Sequence, residues 1–211
     1  FDFKHCVKGG NIKLAELILS KKPKICDIVS DCSKFTNYNY LFCLACEHDR
    51  FEMCQWLLTN FPNIDISFEH ERPFIKACIN NNIEMAKWLY EKKPDINILV
   101  DEWDEDKNIL YKICERGKKD TIYEYKDLAN YKDLANWLIS IEDTNELFMS
   151  AFCTVCRDFG QYEIEFMISL DYDITVDEYS RAFQTACLHD CCQNAKYLFN
   201  IQPNIDISID N

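Results

Sequence analysis

Thirteen cysteines and four histidines are the side chains in this 211-residue sequence best equipped for chemistry, and their spacing decides what kind. Cys43-Leu44-Ala45-Cys46 and Cys153-Thr154-Val155-Cys156 are C-x-x-C pairs, the spacing that brings two thiolates onto one zinc ion or makes a dithiol couple. Cys187-Leu188-His189-Asp190-Cys191-Cys192 is the densest run of metal-ligating residues. A positional argument stands against metal and redox chemistry. Cys46 and Cys156 occupy a recurring slot that Cys78, Cys114 and Cys187 fill without any C-x-x-C partner, as small apolar residues would. We therefore read them as packing residues, and we read His189, echoed by His48 two residues after the same slot, as part of a turn. His5 and His70 fall elsewhere, and no Ser or Cys nucleophile pattern surrounds any histidine. No catalytic residue, metal or cofactor is expected, and the chain is read as a non-enzyme.

Recognition is the other chemistry on offer. Asp101-Glu102-Trp103-Asp104-Glu105-Asp106 sets one Trp among five acids. Either the Trp folds back on a neighbouring hairpin, or it anchors a basic partner inside an acidic rim. Thirty-six acids against 23 bases give a net charge of −13, which opposes association with a nucleic-acid backbone or an anionic membrane surface. No run approaches the roughly 18 apolar residues of a membrane helix, and the opening FDFKHCVKGG lacks a signal pattern. Four glycines, with no GxGxxG or GxxxxGK[ST], exclude a phosphate-cradling loop. The cysteine count is odd and the thiols sit inside apolar helical runs, which indicates a reducing compartment. A cytoplasmic monomer is expected.

The elements that must position these residues are repeats. Arg72-Pro73-Phe74-Ile75-Lys76-Ala77-Cys78 leads into Ile83-Glu84-Met85-Ala86-Lys87-Trp88-Leu89 and then Pro94-Asp95-Ile96-Asn97-Ile98. Taking Cys78 as anchor, the aromatic four residues earlier and the small residue just before it return as Phe3/Cys6/Val7, Phe42/Ala45/Cys46 and Phe183/Ala186/Cys187. Leu110/Ile113/Cys114 and Phe152/Val155/Cys156 are looser copies. Successive anchors lie 39, 32, 36, 42 and 31 residues apart, a solenoid period with two insertions. Within each copy two helical stripes flank a polar turn, so each unit is a helix pair that stacks on its neighbours. The turn calls for a residue tolerant of positive φ, a role expected of Gly10, Asp49, Asn81, Gly117, Gly160 and Asp190.

These residues resemble the ankyrin repeat. Arg72 to Cys78 is similar to its T-P-L-H-x-A-A phrase, Asn81-Asn82 to its Gly-His turn, Ile83 to Ala86 to its L-E-V-V stretch, and Asp95-Ile96-Asn97 to its D-V-N. The wording also resembles the ankyrin-like arrays of giant DNA viruses. The signature His is replaced throughout, by Lys4, Cys43, Ile75, Tyr111, Cys153 and Gln184. The resemblance implies an all-α solenoid of about six stacked helix pairs with short projecting hairpins, one domain over 1–211. Its repeats would run over 1–34, 35–69, 70–105, 106–144, 145–176 and 177–211. It implies a non-enzymatic scaffold or adaptor that holds a protein partner on hairpin tips, here Asp101 to Asp106 with Trp103, and on a concave face including Leu44, Glu47, Lys76, Ile79, Lys112 and Glu115. It also brings hydroxylation of the D-V-N asparagine onto Asn97. A cysteine-rich metal or redox protein and a structural virion component are the alternatives. Because the chain begins at Phe1 and stops where another copy would start, a longer array is expected.

A tandem hexamer interrupts the fourth copy: YKDLAN occupies Tyr125 to Asn130 and again Tyr131 to Asn136. Leu134, Ala135, Trp137 and Leu138 keep the helical register, whereas Leu128 falls about 240° away around a helix. The first hexamer is expected to loop out or extend the helix outward.

Overall fold

The computed structural model describes residues 3–21, 38–99, 108–118, 128–141 and 145–207. Among these the chain forms twelve α-helices, one 3-10 turn and no strand, as two helical stripes per copy require. It divides into two compact units at residues 97 and 98. The first unit holds α1 (Phe3–Gly9), α2 (Ile12–Lys21), α3 (Tyr38–Glu47), α4 (Phe51–Asn60), α5 (Phe68–Ile79) and α6 (Ile83–Lys92). The second holds α7 (Ile109–Lys118), the 3-10 turn Leu128–Tyr131, α8 (Lys132–Ser140), α9 (Glu146–Asp158), α10 (Gln161–Ile168), α11 (Val176–Leu188) and α12 (Cys192–Ile201).

First helices of consecutive pairs pack on one another, α3 on α5 and α9 on α11. The aromatic and anchor slots fill these seams: Phe42, Phe74 and Phe152, with Cys46, Cys78, Cys114 and Cys156, are fully buried. In the first unit the second and third pairs also reach back with their second helices. Trp56 meets Phe3 at 6.5 Å between ring centroids and Trp88 meets Phe42 at 6.4 Å, so the aromatic of one pair is covered by the Trp of the next. Burial of this kind makes truncation of Phe42 or Phe74 to Ala cost roughly 3 to 5 kcal/mol.

Four of the six expected turn residues have positive φ: Gly10 at 69°, Asp49 at 53°, Asn81 at 62° and Asp190 at 59°. Each closes a Schellman turn, for example with Asn82 N–H donating to the Ala77 carbonyl at 2.9 Å and Asn81 N–H to the Cys78 carbonyl at 2.9 Å. Gly10 is doubly constrained, because a Cβ there would also lie 2.9 Å from Cδ of Arg50. Gly117 and Gly160 correct the expectation. Gly117 lies within α7, and Gly160, with φ −101°, is the N-cap of α10. The turn slot of that fifth copy falls on Phe159, at φ −120°, so α9 ends without a left-handed residue.

The residue after the turn slot stitches one pair to the pair before it. Arg50 Nε donates to the Lys8 carbonyl at 3.0 Å, Asn82 Nδ2 to the carbonyls of Cys46 and Glu47 at 3.1 and 3.3 Å, and Cys191 Sγ to the Arg157 carbonyl at 2.9 Å. Three chemically different side chains thus serve the last turn of the preceding first helix, whose carbonyls lack intrahelical partners. Where α9 lacks the usual terminal turn, a further donor is present: buried Asn194 on α12 gives its amide to the carbonyls of Cys156 and Phe159, both at 2.8 Å.

Two local departures shape the edges of the pairs. At the entry to α5, Glu69, His70 and Glu71 are all left-handed, with φ of 48°, 54° and 61°, so regular α-helix begins at Arg72 and Pro73. Pro73 suits a first turn because it has no N–H to leave unpaired. Arg72 donates to Glu69, while Lys93 bonds Ser67 and, at 2.7 Å, Glu71. The second departure concerns the duplicated hexamer, of whose first copy Leu128, Ala129 and Asn130 are described. Leu128 does not loop out; it is 1% exposed and begins the 3-10 turn, its N–H donating to the Tyr162 hydroxyl at 3.3 Å. A 3-10 winding turns about 120° per residue, so Leu128 lines up with buried Tyr131 and comes within about 60° of Leu134, where unbroken α-helical winding would have set it about 240° away.

Candidate interaction surface

Burial in the repeat core disfavours ionisation of the anchor-slot thiols. Burial pushes the Cys43 thiol up to about 12 and also raises Cys78, Cys114 and Cys156. A thiol that resists ionisation is a poor nucleophile and a poor zinc ligand. In the C-x-x-C pairs, Cys43, Cys46 and Cys156 are buried in the repeat core and only Cys153 is half-exposed. Cys46 faces Cys54 instead of its C-x-x-C partner, with sulfurs 3.6 Å apart. The slots where the ankyrin resemblance places its His have unrelated roles here. Lys4 Nζ stands 5.1 Å over the Tyr40 ring, and the Tyr111 hydroxyl donates to Asp158 Oδ2 at 3.0 Å.

The recognition residues fall into three groups. Asp101, Glu102, Trp103, Asp104, Glu105 and Asp106 lie outside the described residues. In the first unit, Leu44 on α3 is 7% exposed and belongs to the core, while Glu47, Lys76 and Ile79 are half-buried on α3 and α5. Glu47 and Lys76 pair across those helices at 3.8 Å, so the two charges largely answer each other. In the second unit, Lys112 and Glu115 are half-buried on α7. Asn97 is exposed.

A groove that the sequence reading did not single out runs along the first helices of the last two pairs. It encloses about 640 Å³ between α9 and α11 and is lined by Asn145, Glu146, Met149, Ser150, Cys153, Glu178, Arg181 and Thr185. That volume lies within the range of clefts that take ligands or peptide side chains. Its geometry is fixed at one end by a capping box at the start of α11. Thr175 Oγ1 accepts from Glu178 N–H at 3.3 Å, and the Glu178 carboxylate accepts from Thr175 N–H at 2.8 Å. The same carboxylate takes the Tyr172 hydroxyl at 2.6 Å and Asn145 Nδ2 at 3.4 Å. Burial by itself would raise Glu178. The bonds from Tyr172 and Thr175, with the nearby Arg181 charge, outweigh it and hold the carboxyl below its ordinary value. Glu178 is thereby consumed in positioning α11, whereas Arg181 presents an exposed guanidinium at the groove. The T-x-x-E spacing of the capping box was readable in the sequence; the groove beside it was not.

Among the described residues no group of three or more His, Cys, Asp or Glu side chains is arranged to hold a metal ion, and no helix is long and apolar enough to cross a membrane. No curated protein matches the chain. Among solved structures, it is similar to a chain in the Bd0816 predatory endopeptidase from Bdellovibrio bacteriovorus in complex with immunity protein Bd3460. That likeness has 15% identity and a TM-score of 0.47 over 94% of this chain and 96% of the other. Residues 3–100 match the family model for ankyrin repeats in three copies, so the helix pairs of the first unit are an ankyrin-repeat array, a fold whose repeats serve as protein-interaction modules.

Proposed function

We propose that the chain is a non-enzymatic protein-interaction scaffold, and that the groove between α9 and α11 is where a protein partner is held. The groove carries this reading because its polar groups are positioned by packing and left facing outward. Met149 supplies a buried apolar floor, Ser150 on α9 offers a hydroxyl from one wall, and Arg181 and Thr185 on α11 offer guanidinium and hydroxyl groups from the other. A segment of partner chain gains apolar contact and directional hydrogen bonds there at small ordering cost, because both helices are already fixed. The half-buried residues Glu47, Lys76 and Ile79 extend the reading to the first unit, and Lys112 and Glu115 to the second. With a net charge of −13 and five acids between 101 and 106, a partner bearing a basic patch associates faster than a neutral one.

The test is capture of partners by the full chain and by a groove-blocked variant, Ser150→Arg with Arg181→Glu, whose melting temperature matches the parent. A protein bound by the parent and lost by the variant supports the reading. A protein bound equally by both removes the groove from it.

A further inference from the structure

We propose that Cys46 and Cys54 are a redox-sensitive staple, a buried dithiol that a small exogenous disulfide converts to an intramolecular disulfide when the second helix pair opens. Position is the first observation. Cys46 on α3 and Cys54 on α4 bring their sulfurs to 3.6 Å across the packed helices, and both residues are fully buried. At that separation one thiol donates to the other, and an S–S bond of about 2.05 Å needs only about 1.5 Å of further approach. Identity is the second. The second-helix slot that matches Cys54 holds Ala15, Ala86, Ala135 and Ala195 in the first, third, fourth and sixth pairs, and Ile164 in the fifth. A second Cys therefore joins the anchor Cys in the second pair alone. Ala meets the packing demand of that slot four times over, so close packing by itself does not call for the second thiol.

While the helices stay closed the pair is protected. Neither residue reaches solvent, and burial, followed by the hydrogen bond with Cys54, pushes the Cys46 thiol well up. Reaction therefore waits on local opening of α3 against α4, after which a solvated thiol ionises near its ordinary value of about 8.5 and becomes a nucleophile. The step is thiol–disulfide exchange with a small disulfide such as oxidised glutathione. One cysteine thiolate attacks that disulfide, forming a mixed disulfide and releasing the first small thiol. The other cysteine, also as thiolate, attacks the protein sulfur of the mixed disulfide, forming the Cys46–Cys54 bond and expelling the second small thiol. Two protein thiols lose two hydrogen atoms, and one small disulfide becomes two thiols. The cysteines stand eight positions apart, so the second step closes a short loop at little entropic cost. The product ties α3 to α4 and opposes the opening that produced it, and reclosure shields the bond from reductant.

The experiment uses the full chain, its accessible thiols first blocked with iodoacetamide under native conditions. Oxidised glutathione is then added with and without urea below the unfolding midpoint, and the remaining thiols are mapped by mass spectrometry after acid quenching. A disulfide between Cys46 and Cys54 must form, severalfold faster in urea than without it, and the oxidised chain must melt above the reduced one. Dithiothreitol must likewise reverse the bond severalfold faster in urea. These measurements on the parent chain need no variant. Cys54→Ala, which installs the residue the other pairs carry, must form no intramolecular disulfide at Cys46. Pairing of Cys46 with Cys43, a rate indifferent to urea, a melting temperature that fails to rise on oxidation, or no disulfide in either sample would each overturn the proposal.

Discussion

Replacing Asn194 by Ala removes one side-chain amide and strands two backbone carbonyls at once. Both Cys156 O and Phe159 O lie 2.8 Å from Nδ2, and Asn194 itself is buried, so water does not replace the lost donor without rearrangement. Each buried acceptor left without that partner costs roughly 1 to 3 kcal/mol. The better helix propensity of Ala returns about 0.5 kcal/mol. The expected loss is therefore about 2 to 5 kcal/mol, large for a side chain with no charge and little apolar surface. Urea unfolding followed by circular dichroism measures it as a lowered midpoint with an unchanged slope. Asn60→Ala is the matched control, because Asn60 also donates Nδ2 to a carbonyl, that of Trp56 at 2.8 Å, but on the exposed end of α4. It should change stability by no more than about 0.5 kcal/mol. If Asn194→Ala loses no more than Asn60→Ala, the view that this amide replaces the missing terminal turn of α9 is wrong.

Gly10→Ala should destabilise the first unit by more than about 1 kcal/mol in the same titration, since φ is 69° and the new Cβ meets Arg50, whereas Asn81→Gly should be neutral or stabilising. Leu128→Ala should cost roughly 2 to 5 kcal/mol as a core truncation, and Leu188→Ala, at 68% exposure, within about 0.5 kcal/mol; equal effects would return the duplicated hexamer to the surface. For Glu178 the folded carboxyl lies below its unfolded value near 4.3, so its contribution is complete above that pH and disappears as pH falls through the folded value. The stability gap between parent and Glu178→Gln should accordingly be widest at neutral pH and narrow below about pH 4.

The repeat was legible because its slots impose one residue type for one physical reason. Phe42, Phe74 and Phe152 all fill equivalent seams, and Asp49, Asn81 and Asp190 all tolerate the same left-handed backbone. Gly160 misled for the converse reason: glycine satisfies a turn and an N-cap equally, and only the chain path separates them. The stitch was illegible because Arg50, Asn82 and Cys191 share a position and a target carbonyl without sharing chemistry. Leu128 was misjudged by assuming α-helical winding where a 3-10 turn changes the angle per residue. The groove between α9 and α11 had no sequence signature, because its walls are ordinary polar helix positions that acquire meaning only when two helices face each other.

The left-handed run at Glu69, His70 and Glu71 makes the entrance to α5 a spring held by a latch. Left-handed backbone costs of order 1 to 3 kcal/mol per residue in bulky side chains, and three in succession persist only because Lys93 grips Ser67 and Glu71 while Arg72 grips Glu69. Glu69 and Arg72 are partly in solvent, so added salt loosens their hold, whereas Phe74, Ala77 and Cys78 just beyond are sealed in the core and indifferent to it. The segment can therefore let go without its helix following. Local opening of the first unit is expected to begin at this threshold and to become more frequent as ionic strength rises.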